Sequence, residues 1–174
     1  MGWCMFGPDW WIHILTWGTL ASTLSAGVLL TALLTAPYAF LSDFPTDIRQ
    51  HAATPTTRQR RAGIIGGCIF VVTLFSLMWA VGFAWGRTQP EASFWQLWEM
   101  ALVGFAIFTV IDTLVIDAVV ICRWRPQRII FTGTSDCAGW RDVGFHIKEA
   151  VAPRALAVLV LGSGVVGSVA WWAT

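Results

Sequence analysis

Four stretches of this chain are each long and apolar enough to cross a lipid bilayer, and they constrain the fold more than any other feature. A spanning helix needs about 20 predominantly apolar residues. The stretches are 11–36, 62–86, 97–122 and 155–173. The first carries one His and no formal charge and stops at Pro37, and the second has no ionisable side chain beyond Cys68. The third is interrupted by Glu99, Asp112 and Asp117. The fold expected is an all-α, up-down four-helix transmembrane bundle. It forms one polytopic domain over 1–174, with loops at 37–61, 87–96 and 123–154.

Composition agrees. Charged residues make up 12% of the 174, against about 25% in a typical soluble domain, while 56% are hydrophobic. A net charge of +1 gives no basic face for phosphates, so nucleic acid is excluded as a partner. There is no internal repeat and no low-complexity run. The start lacks the basic region and small-residue cleavage site of a signal peptide. Met1-Gly2 is followed by Phe6 where a myristoylation site wants Ser or Thr.

The distribution of Lys and Arg sets the expected orientation. Arg49, Arg58, Arg60 and Arg61 fall in the first loop, and Arg123, Arg125, Arg128, Arg141, Lys148 and Arg154 in the third. Only Arg87 lies on the opposite side. Both termini are therefore expected on the outer, periplasmic side and both basic loops in the cytoplasm. Cys4, Cys68, Cys122 and Cys137 show no paired spacing, so neither a disulfide framework nor a metal site is expected. The Cys pairs that four-span oxidoreductases need are absent.

Lipid gives helices no hydrophobic reason to associate, so close packing falls to small residues and interhelical hydrogen bonds. Gly18, Ser22 and Ala26 form one such face, Gly63 and Gly67 a second, and Ser163 with Gly167 and Gly164 with Ser168 a third. Some of these faces are expected to meet another subunit or a second copy of the chain.

Ten of the 12 Trp fall at the outer end: Trp3, Trp10, Trp11, Trp17, Trp79, Trp85, Trp95, Trp98, Trp171 and Trp172. Trp124 and Trp140 fall inside. Interfacial Trp anchors any membrane protein, and so one-sided a crown also suits contact with a partner, a pigment or a quinone-like ligand. His13, flanked by Trp11 and Trp17, is the candidate ligand or pigment contact. This layout resembles the His-plus-Trp arrangement of light-harvesting helices over one His in one segment. The plainer reading is an interfacial His bonded to water, headgroup or Asp9. No cofactor is specified.

The intramembrane carboxylates are the most informative residues. A charged Asp at a helix centre costs about 2.5–3.5 kcal/mol on insertion scales, so such residues face a bundle interior and find partners. At an α-helical 100° per residue, Asp112 and Asp117 lie about 140° apart. Thr109 and Thr113 fall between them and complete a polar arc. Counting from Arg123, Asp117 is about 9 Å deep and Asp112 about 16 Å. Asp117 is expected to pair with Arg58, Arg60, Arg61 or Arg154, unless the two carboxylates form a proton or cation site or the acid and base of a reaction. Glu99 is expected to cap the start of its helix.

In the third loop, 128–132 and 143–147 read as short strands around a Gly-rich turn, predicting a small β-hairpin against the inner membrane face. His146 is the candidate base of any reaction there. Arg58, Arg60, Arg61, Arg123, Arg125 and Arg128 are the expected contacts to anionic inner-leaflet lipid.

No complete catalytic set emerges. The leading expectation is therefore a non-enzymatic accessory subunit of a larger membrane complex, of photosynthetic or respiratory type. Its main rival is a proton- or cation-coupled carrier or channel centred on Asp112 and Asp117. A small lipid-modifying membrane enzyme is the third.

Overall fold

The computed structural model describes residues 6–174; Trp3, Cys4 and the Met1-Gly2 start lie outside them. Among the described residues six helices follow in chain order: α1 (Pro8–Thr35), α2 (Thr46–His51), α3 (Thr57–Thr88), α4 (Phe94–Trp124), α5 (Val143–Ala150) and α6 (Pro153–Ala173). Short 3₁₀ turns lie between several of them. α1, α3, α4 and α6 are each long and apolar enough to cross a membrane.

All four begin earlier than hydropathy alone marks, because capping chemistry carries them past the apolar stretch. α1 and α6 open on Pro8 and Pro153, and a proline in the first turn leaves no intrahelical bond unmade. At the start of α3, Thr56 N–H donates to Gln59 Oε1 at 2.8 Å, and Gln59 N–H donates to Thr56 Oγ1 at 3.3 Å. This reciprocal capping box draws Arg58, Arg60 and Arg61 into the helix. Ser93 and Gln96 cap α4 in the same way. Glu99, expected to cap, stands more than a turn inside the helix.

The expected β-hairpin does not form, and no strand occurs among the described residues. Gln127–Ile129 is a 3₁₀ turn, and 143–147 falls within α5. The Asp142 carboxylate accepts the Phe145 N–H at 2.9 Å and caps that helix. A five-residue apolar run does not separate a period of 2 from one of 3.6. On a strand, Val143, Phe145 and Ile147 would share the buried face. In the helix Ile147 is exposed and His146 is buried.

Two compact units make up the chain. The first comprises Met1–Ser25, Thr73–Val110 and Ala152–Thr174. Here small residues let backbones approach. A Cβ on Gly167 would lie 2.7 Å from Trp98 Cα, and Ser22 Oγ donates to the Gly104 carbonyl at 3.1 Å. Ser163, Gly167, Gly18 and Ser22 are all buried. Much of the small-residue surface expected to face a partner is thus occupied within the chain.

The second unit comprises Ala26–Val72 and Ile111–Val151. The loops in it build an apolar centre from Phe44, Ile48, Ile129, Phe131 and Trp140, all 2% exposed or less. Phe44 packs edge-on against Phe131 and Trp140. Trp140 Nε1 donates to the Thr134 carbonyl at 2.7 Å, and Asp47 Oδ2 accepts the Gly139 N–H at 2.8 Å. Each large side chain so buried contributes about 1.5–3 kcal/mol. This centre fixes the loops, and with them the position of α5.

Candidate functional site

The site is assembled within the second unit, from α4 and α5. α4 is α-helical over Phe94–Ile111 and then π-helical over Asp112–Trp124. π-Helical hydrogen bonds run from i to i+5 and close a wider turn, and such segments concentrate at functional sites. Asp112, Asp117 and Cys122 are spaced by five. In an α-helix each would stand about 140° from the last; the wider π turn reduces that offset, so the three lean towards the side of the helix that His146 approaches. The arc expected from α-helical geometry is therefore narrower, closer to a column. The helix closes with Arg125 N–H on the Val120 carbonyl at 2.8 Å, with Arg125 left-handed at φ 48° and Pro126 forbidding continuation.

α5 lays His146 against this column. Its Nδ1 lies 3.3 Å from Asp117 Oδ1, with His146 6% and Asp117 17% exposed. Asp117 thus has His146 as a partner, a residue from outside the set of arginines expected for it. Asp112 feels the charges of Asp117, His146 and Asp43. Burial opposes the imidazolium, but bonding to Asp117 and the nearby Cys122 thiol outweigh it and push the His146 pKa up to about 10. His146 Nε2 is buried without a well-formed hydrogen bond, so the thiol interacts with the ring without satisfying that nitrogen. Phe44 meets the ring edge-on at 6.3 Å and ties it to the apolar centre.

The arrangement holds two carboxylates, an imidazole and a thiol in a mostly buried row running from within α4 to the loops. It can bind, store and exchange protons. No three His, Cys, Asp or Glu side chains among the described residues are placed to share a metal ion.

The remaining expected residues fall elsewhere. Thr109 Oγ1 donates to the Phe105 carbonyl of its own helix at 3.0 Å, and Thr113 is half-buried beside the carboxylates in sequence. His13 Nε2 lies 3.0 Å from the Val81 carbonyl, and its ring packs on Trp85 at 5.3 Å. Trp11 and Trp17 are exposed, and no ring contact joins them to His13 among the described residues. Sequence reasoning missed Cys122 as a member of this site, although the five-residue repeat of Asp112, Asp117 and Cys122 is a signal for it. Asp43 belongs to the polar residues of the first loop, and only the folding of that loop brings it near Asp112.

No protein-family model, no curated protein and no solved structure matches this chain.

Proposed function

We propose that the chain is a proton-coupled membrane carrier or channel in which Asp112, Asp117 and His146 relay protons between the interior of α4 and the arginine-bearing loops. The observation that carries this reading is the buried 3.3 Å contact of His146 with Asp117, on a column that continues to Asp112. Ionisable residues within spanning segments are expensive to insert, and chains of Asp, Glu and His there are the usual elements of proton relays. The basic loops face the cytoplasm in this reading and both termini the periplasm, as the Lys and Arg distribution supports.

The test is proton flux into liposomes holding the purified chain, driven by a potassium diffusion potential and read by a trapped pH dye. Wild type passes protons well above empty liposomes, and Asp112→Asn and Asp117→Asn abolish the flux while the proteins remain monodisperse. An Asp112→Asn variant with wild-type flux, or a wild type indistinguishable from empty liposomes, overturns the proposal.

A second reading, an accessory subunit of a larger membrane complex, is favoured by one observation. Trp11, Trp17, Trp95, Trp171 and Trp172 are all exposed, and indole rings are favoured contact anchors. Purification from native membranes in mild detergent without a stoichiometric partner sinks it.

A further inference from the structure

We infer a binding site for one anionic phospholipid on the arginine-bearing end of α3. Two grooves meet at Tyr38, and all of their lining belongs to the second unit. One, of about 490 Å³, is lined by Arg58 and Gln59 from α3, by Arg128 and by the Phe131–Thr132 turn. The other, of about 480 Å³, runs along α3 from Arg60 past Gly63 and Gly67 to Val71 and Val72. Tyr38 borders both.

The two grooves differ in chemistry, and the difference matches the two ends of a phospholipid. The first sets guanidinium groups from two separate elements around one opening. Arg58, Arg60 and Arg128 make no ion pair with a carboxylate among the described residues, so positive charge is uncompensated there. A phosphate diester supplies the opposite charge and accepts bidentate guanidinium hydrogen bonds. The second groove is apolar and follows a helix apolar enough to span a membrane.

Its floor is made by glycine. Gly63 lets Ala39 approach closely, since a Cβ there would meet the Ala39 backbone at 3.0 Å, whereas a Cβ on Gly67 would meet nothing within 4 Å. Ile64 and Val72 stand exposed along it. From Arg60 to Val71 the helix rises about 16 Å, roughly the depth of one leaflet of a 30 Å hydrocarbon layer. The phosphate sits among the arginines at Tyr38, and one acyl chain descends the glycine groove. Six arginines were candidates for lipid contact on sequence grounds. The folded chain gathers Arg58, Arg60 and Arg128 around these grooves, whereas Arg61, Arg123 and Arg125 line neither of them.

The test uses the full chain reconstituted in nanodiscs of equal phosphatidylglycerol and phosphatidylcholine, re-extracted in mild detergent and weighed intact. Wild type retains one phosphatidylglycerol in preference to phosphatidylcholine. The Arg58→Ala/Arg128→Ala pair lowers that preference roughly 25-fold, from the usual contribution of two arginines at an anionic surface, and Arg58→Lys/Arg128→Lys keeps most of it. Gly67→Leu, whose Cβ would meet nothing within 4 Å, places its side chain in the groove and ejects the bound lipid, so it tests the acyl groove even if the arginine variants fold poorly. Equal retention of both lipids by wild type, an unchanged preference in the double alanine variant, or lipid retained by Gly67→Leu each overturns the site. Displacement of the lipid by glycerol 1-phosphate at comparable affinity also overturns it, because the ligand is then a soluble phosphate.

Discussion

Gly167→Ala asks how closely two of the helices are forced together. A methyl group at this position would lie 2.7 Å from Trp98 Cα, 2.8 Å from its N and 3.0 Å from its Cβ. Carbon atoms pack at about 3.5–4.0 Å, so Trp98 and Gly167 must separate by about 1 Å. The obstacle is backbone in the first turns of α4, which no rotamer change relieves. A radial gap of 0.5–1 Å forfeits roughly a quarter to a half of each dispersion contact along the seam, and overpacking of this kind costs about 1–3 kcal/mol. For a chain of this size that corresponds to a fall in Tm of roughly 3–10 °C.

The control is Gly67→Ala, where the added methyl meets nothing within 4 Å. Replacing a helical glycine without a clash relieves a backbone-entropy penalty of about 0.5–1 kcal/mol, so this variant melts at or slightly above wild type. Both are measured in one detergent by the temperature at which the chain loses its monodisperse peak. Gly167→Ala melting with wild type, or Gly67→Ala losing as much as Gly167→Ala, refutes the assignment of this seam.

Other expectations follow from the same structure. The folded pKa of His146 is raised to about 10 from an ordinary 6.5. A raised folded pKa means that the folded state holds a proton the unfolded state has released. The stabilisation is therefore complete below about pH 6.5 and lost as pH rises towards 10. Unfolding titrations across that window should show this loss in wild type and a flatter profile in Asp117→Asn; a parallel profile in the variant contradicts the pairing. Asp47→Ala removes the acceptor of the Gly139 N–H, which lies at 2.8 Å, and an orphaned buried donor costs about 1–3 kcal/mol. Limited proteolysis should then cut the 133–142 loop faster, and unchanged cleavage counts against that bond. Ser22→Ala deletes the 3.1 Å bond to the Gly104 carbonyl and should lower stability by only about 0.6 kcal/mol, the usual scale of such bonds in membranes. A loss above about 2 kcal/mol would assign Ser22 a larger part in packing.

Much of the polar site was visible before folding was considered. Asp112 and Asp117 stand out because ionisable groups are rare within apolar stretches, and that rarity needs no knowledge of neighbours. Their mutual placement was not visible. It depends on whether α4 bonds i to i+4 or i to i+5, a choice of register that side-chain types leave open. His146 is legible as a candidate base, but its secondary structure is not. A short apolar run fits both periods, and burial of His146 rather than Ile147 depends on the apolar centre around Phe44, Phe131 and Trp140.

The sequence by itself determines that four helices are long and apolar enough to span a membrane, because hydropathy sums locally over about 20 residues. It also determines where basic residues collect along the chain. Only the tertiary structure decides which groups meet: His146 on Asp117, Trp98 on Gly167, Arg128 beside the start of α3. Those contacts join residues 29, 69 and 70 positions apart. Their energies depend on distance and on the exclusion of water, and neither is set until the loops have packed.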